Sequence, residues 1–270
     1  MRSLDAMRTV IIVLCMYLQL TTMVVGQELE YDRMIPGSFD MISTDHIGKV
    51  YVTKHHELFL YSEKGDLLYQ FSDLSRGEIE HLDTRNPLKI LLFYPDYSQI
   101  VFLDNTLSRT RENVNLMNLG LELARLACTS FDNGFWVYDP VSFRLVRFDQ
   151  GLNLTNEVAN INQLLGVEIN PAQMVEDDSW LYLHDPEYGV FVFDSFGTYT
   201  KLIPIKGAQQ VIVRSNGIFF LMKTGLIKYD PLSFDQLEII LPTDDFSQIS
   251  IEKKQLFMLN DQGVLVYRID

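Results

Sequence analysis

Short apolar runs recur along this chain, each ending in an aromatic residue or leucine: LFLY at 58–61, IVFL at 100–103, LVRF at 145–148, VFVF at 190–193, LIKY at 226–229 and VLVY at 264–267. Most are followed by Asp or another polar residue. Their last residues lie 42, 45, 45, 36 and 38 positions apart, the period of an architecture whose unit is a four-stranded sheet. Another apolar or alternating run precedes each: KVYV at 49–52, ILLFY at 90–94, FWVY at 135–138, WLYL at 180–183, IFFL at 218–221 and LFML at 256–259.

The joints between the paired runs carry turn chemistry: Pro95-Asp96, Asp139-Pro140, Asp185-Pro186, Lys223-Thr-Gly225 and Asn260-Asp-Gln-Gly263. Tight reversals need a positive φ or a preset φ, so Gly, Asn, Asp and Pro collect there. The first unit shows four strands, at 39–43, 49–53, 57–61 and, after Lys64-Gly-Asp66, at 67–71. The last unit has only three, near 248–252, 256–259 and 264–269, while an unassigned strand-like piece, 29–35, stands before the first. Set as the outer strand of the last unit, that piece closes a ring and removes its free edges. The pattern predicts an all-β fold: a six-bladed β-propeller of four-stranded blades, closed by an N-terminal strand that completes the last blade.

Two stretches break the rhythm, 110–119 and 153–175. In the second, Val158, Ile161, Leu164, Leu165 and Val167 have spacings that suit a short helix. It is expected to be an insertion between the third and fourth blades, either lying over one face of the ring or covering an exposed edge.

Residues 1–26 read differently. Arg2 and Arg8 precede an apolar run over 10–20, with small or apolar residues up to Gly26. This is the layout of a secretory signal peptide, too short and too interrupted by Gln19, Thr21 and Thr22 for a spanning helix. The expected organisation is therefore a leader over 1–26 and one propeller domain over 27–270, exported and periplasmic or outer-membrane-associated, with no transmembrane span in the mature chain. Losing Arg2, Arg8 and Asp5 moves the formal charge from −14 to −15. With basic residues scattered over such an acidic chain, nucleic acid is excluded as a partner. Of the two cysteines, Cys15 leaves with the leader and Cys128 sits in an apolar stretch, so no internal disulfide forms and the thiol is expected to be buried.

No Gly-x-Ser-x-Gly elbow, His-Glu-x-x-His or Cys-x-x-Cys motif occurs. His55-His56 are sequence neighbours between two strands and read as turn residues. Glu176-Asp-Asp178 and Asp244-Asp245 lack the alternating order of a calcium loop. No catalytic, cofactor-binding or metal residue is assigned, although with this many carboxylates a glycosidase-like pair is neither selected nor excluded. Tyr94, Trp136, Tyr182 and Tyr199 fall at strand positions that fill blade interfaces. Tyr97 and Tyr188 lie in turns, and with Leu164 and Leu165 of the insertion they form the expected interaction surface.

The repeats resemble six-bladed propellers of the NHL, YWTD and quinoprotein-like kind; Trp136 and Trp180 are followed by Val and Leu, not by the Asp of WD40 blades. Residues 85–94 (RNPLKILLFY), 100–104 (IVFLD) and 189–199 (GVFVFDSFGTY) resemble a group of exported propellers of Bacteroidetes bacteria. That resemblance implies a component of outer-membrane machinery, such as type 9 secretion. The function expected is a non-catalytic protein–protein interaction module, a scaffold or plug subunit of an envelope complex. It would bind an envelope or outer-membrane protein, such as a type 9 translocon, through a propeller face or the 153–175 insertion. The alternative is a propeller hydrolase or lyase acting on a glycan or lactone at the central channel; a third option, a sugar-binding module, predicts exposed aromatics on one face.

Overall fold

In the computed structural model, residues 29–269 are described; the leader expected over 1–26 lies outside them. The first strand is β1 (Leu29–Pro36). Five blades then follow in sequence. The first holds β2 (Met41–Thr44), β3 (Val50–Lys54), β4 (Glu57–Tyr61) and β5 (Leu67–Ser72). The second holds β6 (His81–Asp83), β7 (Ile90–Tyr94), β8 (Gln99–Leu103) and β9 (Val114–Asn115). The third holds β10 (Leu126–Thr129), β11 (Phe135–Asp139), β12 (Arg144–Phe148) and β13 (Leu154–Val158). The fourth holds β14 (Gln173–Asp177), β15 (Trp180–Asp185), β16 (Gly189–Asp194) and β17 (Tyr199–Ile203). The fifth holds β18 (Gln210–Arg214), β19 (Gly217–Met222), β20 (Gly225–Tyr229) and β21 (Gln236–Ile239).

The sixth blade joins the two ends of the chain: β22 (Gln248–Glu252), β23 (Gln255–Asn260) and β24 (Gly263–Ile269) accept β1 as their outer strand. β1 runs antiparallel to β24 from Leu29 opposite Ile269 to Pro36 opposite Gly263. The six-bladed ring and its N-terminal clasp are thus as the repeat pattern predicts. The third–fourth blade connection differs. Residues 154–158 are β13, the outer strand of the third blade, and only α1 (Ile161–Leu165) with its flanking loop is added. β13 leaves no apolar period because its Leu-Thr-Asn-Glu run is exposed or half-buried on both faces of the strand.

The alternation of side chains along a strand explains how the ring holds together. In β7, Leu91 and Phe93 point to the third blade, where they meet Phe135, Val137 and Phe148. Ile90, Leu92 and Tyr94 point to the first blade and meet Tyr51, Leu58 and Leu60. A strand sandwiched between two blades must be apolar on both faces, which is why these runs read as continuous rather than alternating. Similar clusters fill the other interfaces, including sixth against first, where Ile35 of β1 packs with Val50, Phe257 and Val264.

The Asp that so often ends the third strand also has a structural reason. Oδ1 of Asp104 accepts from the backbone N–H groups of Thr106 and Ser108, that of Asp194 from Phe196 and Thr198, and that of Asp230 from Leu232 and Ser233, all at 2.8–3.2 Å. Each carboxylate satisfies turn donors that no strand can reach.

Candidate functional site

The inner strands β2, β6, β10, β14, β18 and β22 surround an axial cavity of about 510 Å³ to which all six blades contribute. They run in the same sense, because matching positions of neighbouring strands meet: Thr44 Oγ1 lies 2.7 Å from Ser250 Oγ, and Ser43 Oγ lies 2.8 Å from Thr84 Oγ1. The inner–second and third–outer connections therefore share one face of the ring. The second–third and blade-to-blade connections share the other.

The first of these faces is plugged. Arg85, just beyond β6, reaches into the fourth blade, where its Nη1 lies 2.7 Å from Asp177 Oδ1. It also extends toward the carbonyl of Val213 in the fifth blade, which stands opposite the second across the axis. Beside it, Arg214 bonds the carbonyl of Ile251 at 2.6 Å and Glu252 at 3.0 Å, and reaches Thr44 Oγ1 at 3.3 Å. Burial, then the neighbouring Arg85 charge, pulls the Arg214 pKa down to about 10. Asp83 accepts from the backbone and hydroxyl of Thr129. Glu176, buried, accepts from Trp136 Nε1 at 2.6 Å, Ser130 Oγ at 2.8 Å and the Phe131 N–H at 2.7 Å, tying the third blade to the fourth. Arg85 and Arg214 are occupied with Asp177 and Glu252, and Asp83 and Glu176 with neutral donors of the third blade.

Glutamines mark the open end. Gln173, Gln210 and Gln248 each begin an inner strand and bond the next blade's inner strand: Gln173 Oε1 accepts from Val211 N–H at 2.6 Å and Gln248 Oε1 from Ile42 N–H at 3.3 Å. Gln210 does both, accepting from Ile249 N–H at 3.0 Å and donating to its carbonyl at 2.9 Å. Inner strands in a propeller are too far apart to form a sheet ladder, and the side-chain amide supplies the missing pairing. A sequence signal for this set existed: a Gln recurs at the blade period in three successive units. The joints of Arg85 to Asp177 and of Glu176 to Trp136 have no such local trace.

Two histidines stand by the cavity. His81 stacks on Phe93, and burial pulls its pKa down to about 4. His184, on β15, is 2% exposed and neither ring nitrogen has a hydrogen-bond partner; burial likewise takes it to about 4, against the opposing pull of Asp185. The expected turn residues His55 and His56 do lie between β3 and β4, and Cys128 is buried. Among the described residues, no group of three or more His, Cys, Asp or Glu is placed to hold a metal ion, and no helix is long and apolar enough to cross a membrane.

Tyr97, Tyr188, Leu164 and Leu165 all sit on the mouth face, in second–third turns and in α1. Tyr97 and Leu164 are each 49% exposed. Tyr188 and Leu165 are half-buried against the core between the third and fourth blades. Of the strand aromatics expected at blade interfaces, Trp136 and Tyr94 are buried and Tyr182 and Tyr199 are half-buried against the core.

The arrangement is that of a six-bladed β-propeller with one end of its channel plugged. No protein-family profile and no curated protein matches the chain. Among solved structures it is similar to a streptogramin B lyase, with 12% identity and a TM-score of 0.59 over 90% of this chain and 87% of that one. The Pan2 WD40 domain of Neurospora crassa is similar at 8% identity and a TM-score of 0.57, over 86% of this chain and 89% of that one. A protein of unknown function from Bacteroides thetaiotaomicron gives 11% identity and 0.60, over 91% and 73%. At these identities the likeness is one of fold.

Proposed function

We propose that this chain is a non-catalytic interaction module, a rigid ring that docks a partner protein of the bacterial envelope. One observation carries the reading. On the plugged face, five consecutive blades each present a large apolar side chain to solvent: Ile47, Leu88, Phe131, Phe196 and Phe234, between 44% and 69% exposed. Apolar and aromatic side chains held in solvent on a rigid frame are the usual anchors of protein contact. The export expected from residues 1–26 places that partner in the envelope, and the resemblance to exported Bacteroidetes propellers makes an outer-membrane translocon, such as that of type 9 secretion, the first candidate. A hydrolase or lyase reading, which the similarity to a lyase fold invites, is less well supported, because the carboxylates of the channel floor are engaged with partners of their own rather than free for acid–base work.

The test is site-specific photocrosslinking in the native envelope, with the probe at Phe196 on the plugged face or at Tyr97 or Leu164 on the mouth face. A single adduct from Phe196, lost in a Phe131→Ser/Phe234→Ser variant of unchanged stability, supports the plugged face. Adducts from Tyr97 and Leu164 alone transfer the contact to the mouth face and its Tyr188–Leu165 neighbourhood. No adduct from any position overturns the interaction reading.

A further inference from the structure

The plugged face is not uniform in charge. Over the third to fifth blades its loops set aromatic side chains beside aspartates: Phe131 with Asp132, Trp180 with Asp178 and Phe234 with Asp235, all exposed. Over the sixth, first and second blades the corresponding loops hold lysines instead: Lys253 and Lys254, Lys49, Lys64 and Lys89. The aromatic sector is continuous from blade to blade. The Phe131 N–H bonds Glu176 Oε1 at 2.7 Å, at the foot of the hairpin turn that carries Trp180. Trp180 stands opposite Asp194 in the strand register, beside the Phe196 turn. Lys201 of the fourth blade then reaches the Phe234 loop at the Pro231 carbonyl.

Two of these rings are held in place: Arg147 lies 4.5 Å from the centre of Phe131 and Lys201 lies 5.7 Å from that of Phe234. Anchors fixed before contact lose little entropy on binding. Among the described residues no cation covers Trp180 or Phe196. Asp132 is paired with Arg147 and Asp177 with Arg85, but among the described residues Asp178, Asp230 and Asp235 have no ion-pair partner. The N–H groups of Leu232 and Ser233 hold the Asp230 carboxyl below its ordinary range, so it stays charged. Aromatic faces beside unpaired carboxylates select a cation on an apolar stem, and a guanidinium stacks and pairs at once. We propose that the partner presents an arginine-bearing apolar segment to this sector, with a guanidinium on Trp180 beside Asp178 and Asp194. This rests on the docking reading and names the chemistry of that partner. The lysines of the opposite half repel the same segment, so the face admits it in one orientation.

The experiment compares the Phe196 photocrosslink in the native envelope between the otherwise unaltered chain, Asp178→Lys/Asp235→Lys and Lys64→Glu/Lys254→Glu. All four substituted positions are exposed, and thermal unfolding checks that both variants keep the fold. The expected adduct falls at least about tenfold in the aspartate variant, is undiminished in the lysine variant, and weakens as ionic strength rises. Mass spectrometry of that adduct should place the crosslink in a partner segment that contains arginine. An adduct that survives Asp178→Lys/Asp235→Lys, equal losses in the two variants, or a crosslinked segment without arginine overturns the proposal and leaves docking on this face standing. No adduct from Phe196 in the unaltered chain removes the proposal together with docking on this face.

Discussion

The guanidinium of Arg85 lies 2.7 Å from the carboxylate of Asp177 although the two residues belong to blades that are not neighbours and are separated by 92 positions in sequence. A pair of this kind braces the ring across its hole rather than around its rim. Both side chains are partly exposed, so the pair holds a modest share of the stability. Arg85→Ala is expected to cost about 1–3 kcal/mol, and a double-mutant cycle with Asp177→Ala to show coupling of order 1 kcal/mol, read from urea unfolding. Full additivity would mean that the contact braces nothing.

Closure of the ring has its own sensitive position. Gly263 has φ +145°, and a Cβ there would sit on the carbonyl oxygen of Ile35 in the clasp strand. Gly263→Ala should therefore destabilise by at least ~2 kcal/mol, whereas Gly207→Ala, in a connection with open space around the Cβ, should cost less despite its φ of +78°. Thermal unfolding of the two variants side by side checks the ordering.

The aspartates that end the third strands predict a repeated, separable effect. Asp194→Ala and Asp104→Ala each strip two turn N–H groups of their acceptor and should cost about 1 kcal/mol apiece, adding in the double variant because the loops are far apart. The Thr106 hydroxyl and then the Ser108 N–H hold the Asp104 carboxyl below its ordinary range. Its contribution is consequently intact above pH 4 and disappears only as the pH falls lower, through the folded-state value.

His184 governs a different interval of pH. Its pKa falls from the ordinary 6.5 to about 4 in the fold, first through burial. Between those values the unfolded chain takes up a proton that the folded ring refuses, so stability is whole above pH 6.5 and declines as the pH drops towards 4. The loss is up to roughly 3 kcal/mol for this residue, and His81, shifted the same way, adds to it. Urea midpoints at pH 7.5 and 4.5 should differ more in the wild type than in His184→Leu; equal differences would mean that the histidine titrates normally.

Much of the ring was legible because its interfaces demand apolar side chains on both faces of the second and third strands, and runs such as ILLFY at 90–94 satisfy that demand locally. The clasp was legible by subtraction, as a strand left over at one end and one missing at the other. Outer strands were harder. β9 is two residues long, and β13 faces solvent with polar side chains, so neither leaves an apolar period to detect. The channel was not legible at all beyond its glutamines. Its floor is made by Arg85, Asp177, Arg214 and Glu252 meeting from separate blades, and its unpartnered histidine is distinguished from other histidines only by what surrounds it.

The pairing of β1 with β24 also sets a clock on biogenesis. The first of these strands leaves the ribosome more than two hundred residues ahead of the second, so it waits as an open edge while five blades form behind it. Contacts at such separation are the slowest to make, and an edge held open that long is what aggregation and premature pairing exploit. Whatever keeps this chain productive between synthesis and closure must shield residues 29–36, and a nascent ring stalled short of residue 263 is left with its final blade lacking the strand on which the clasp is built.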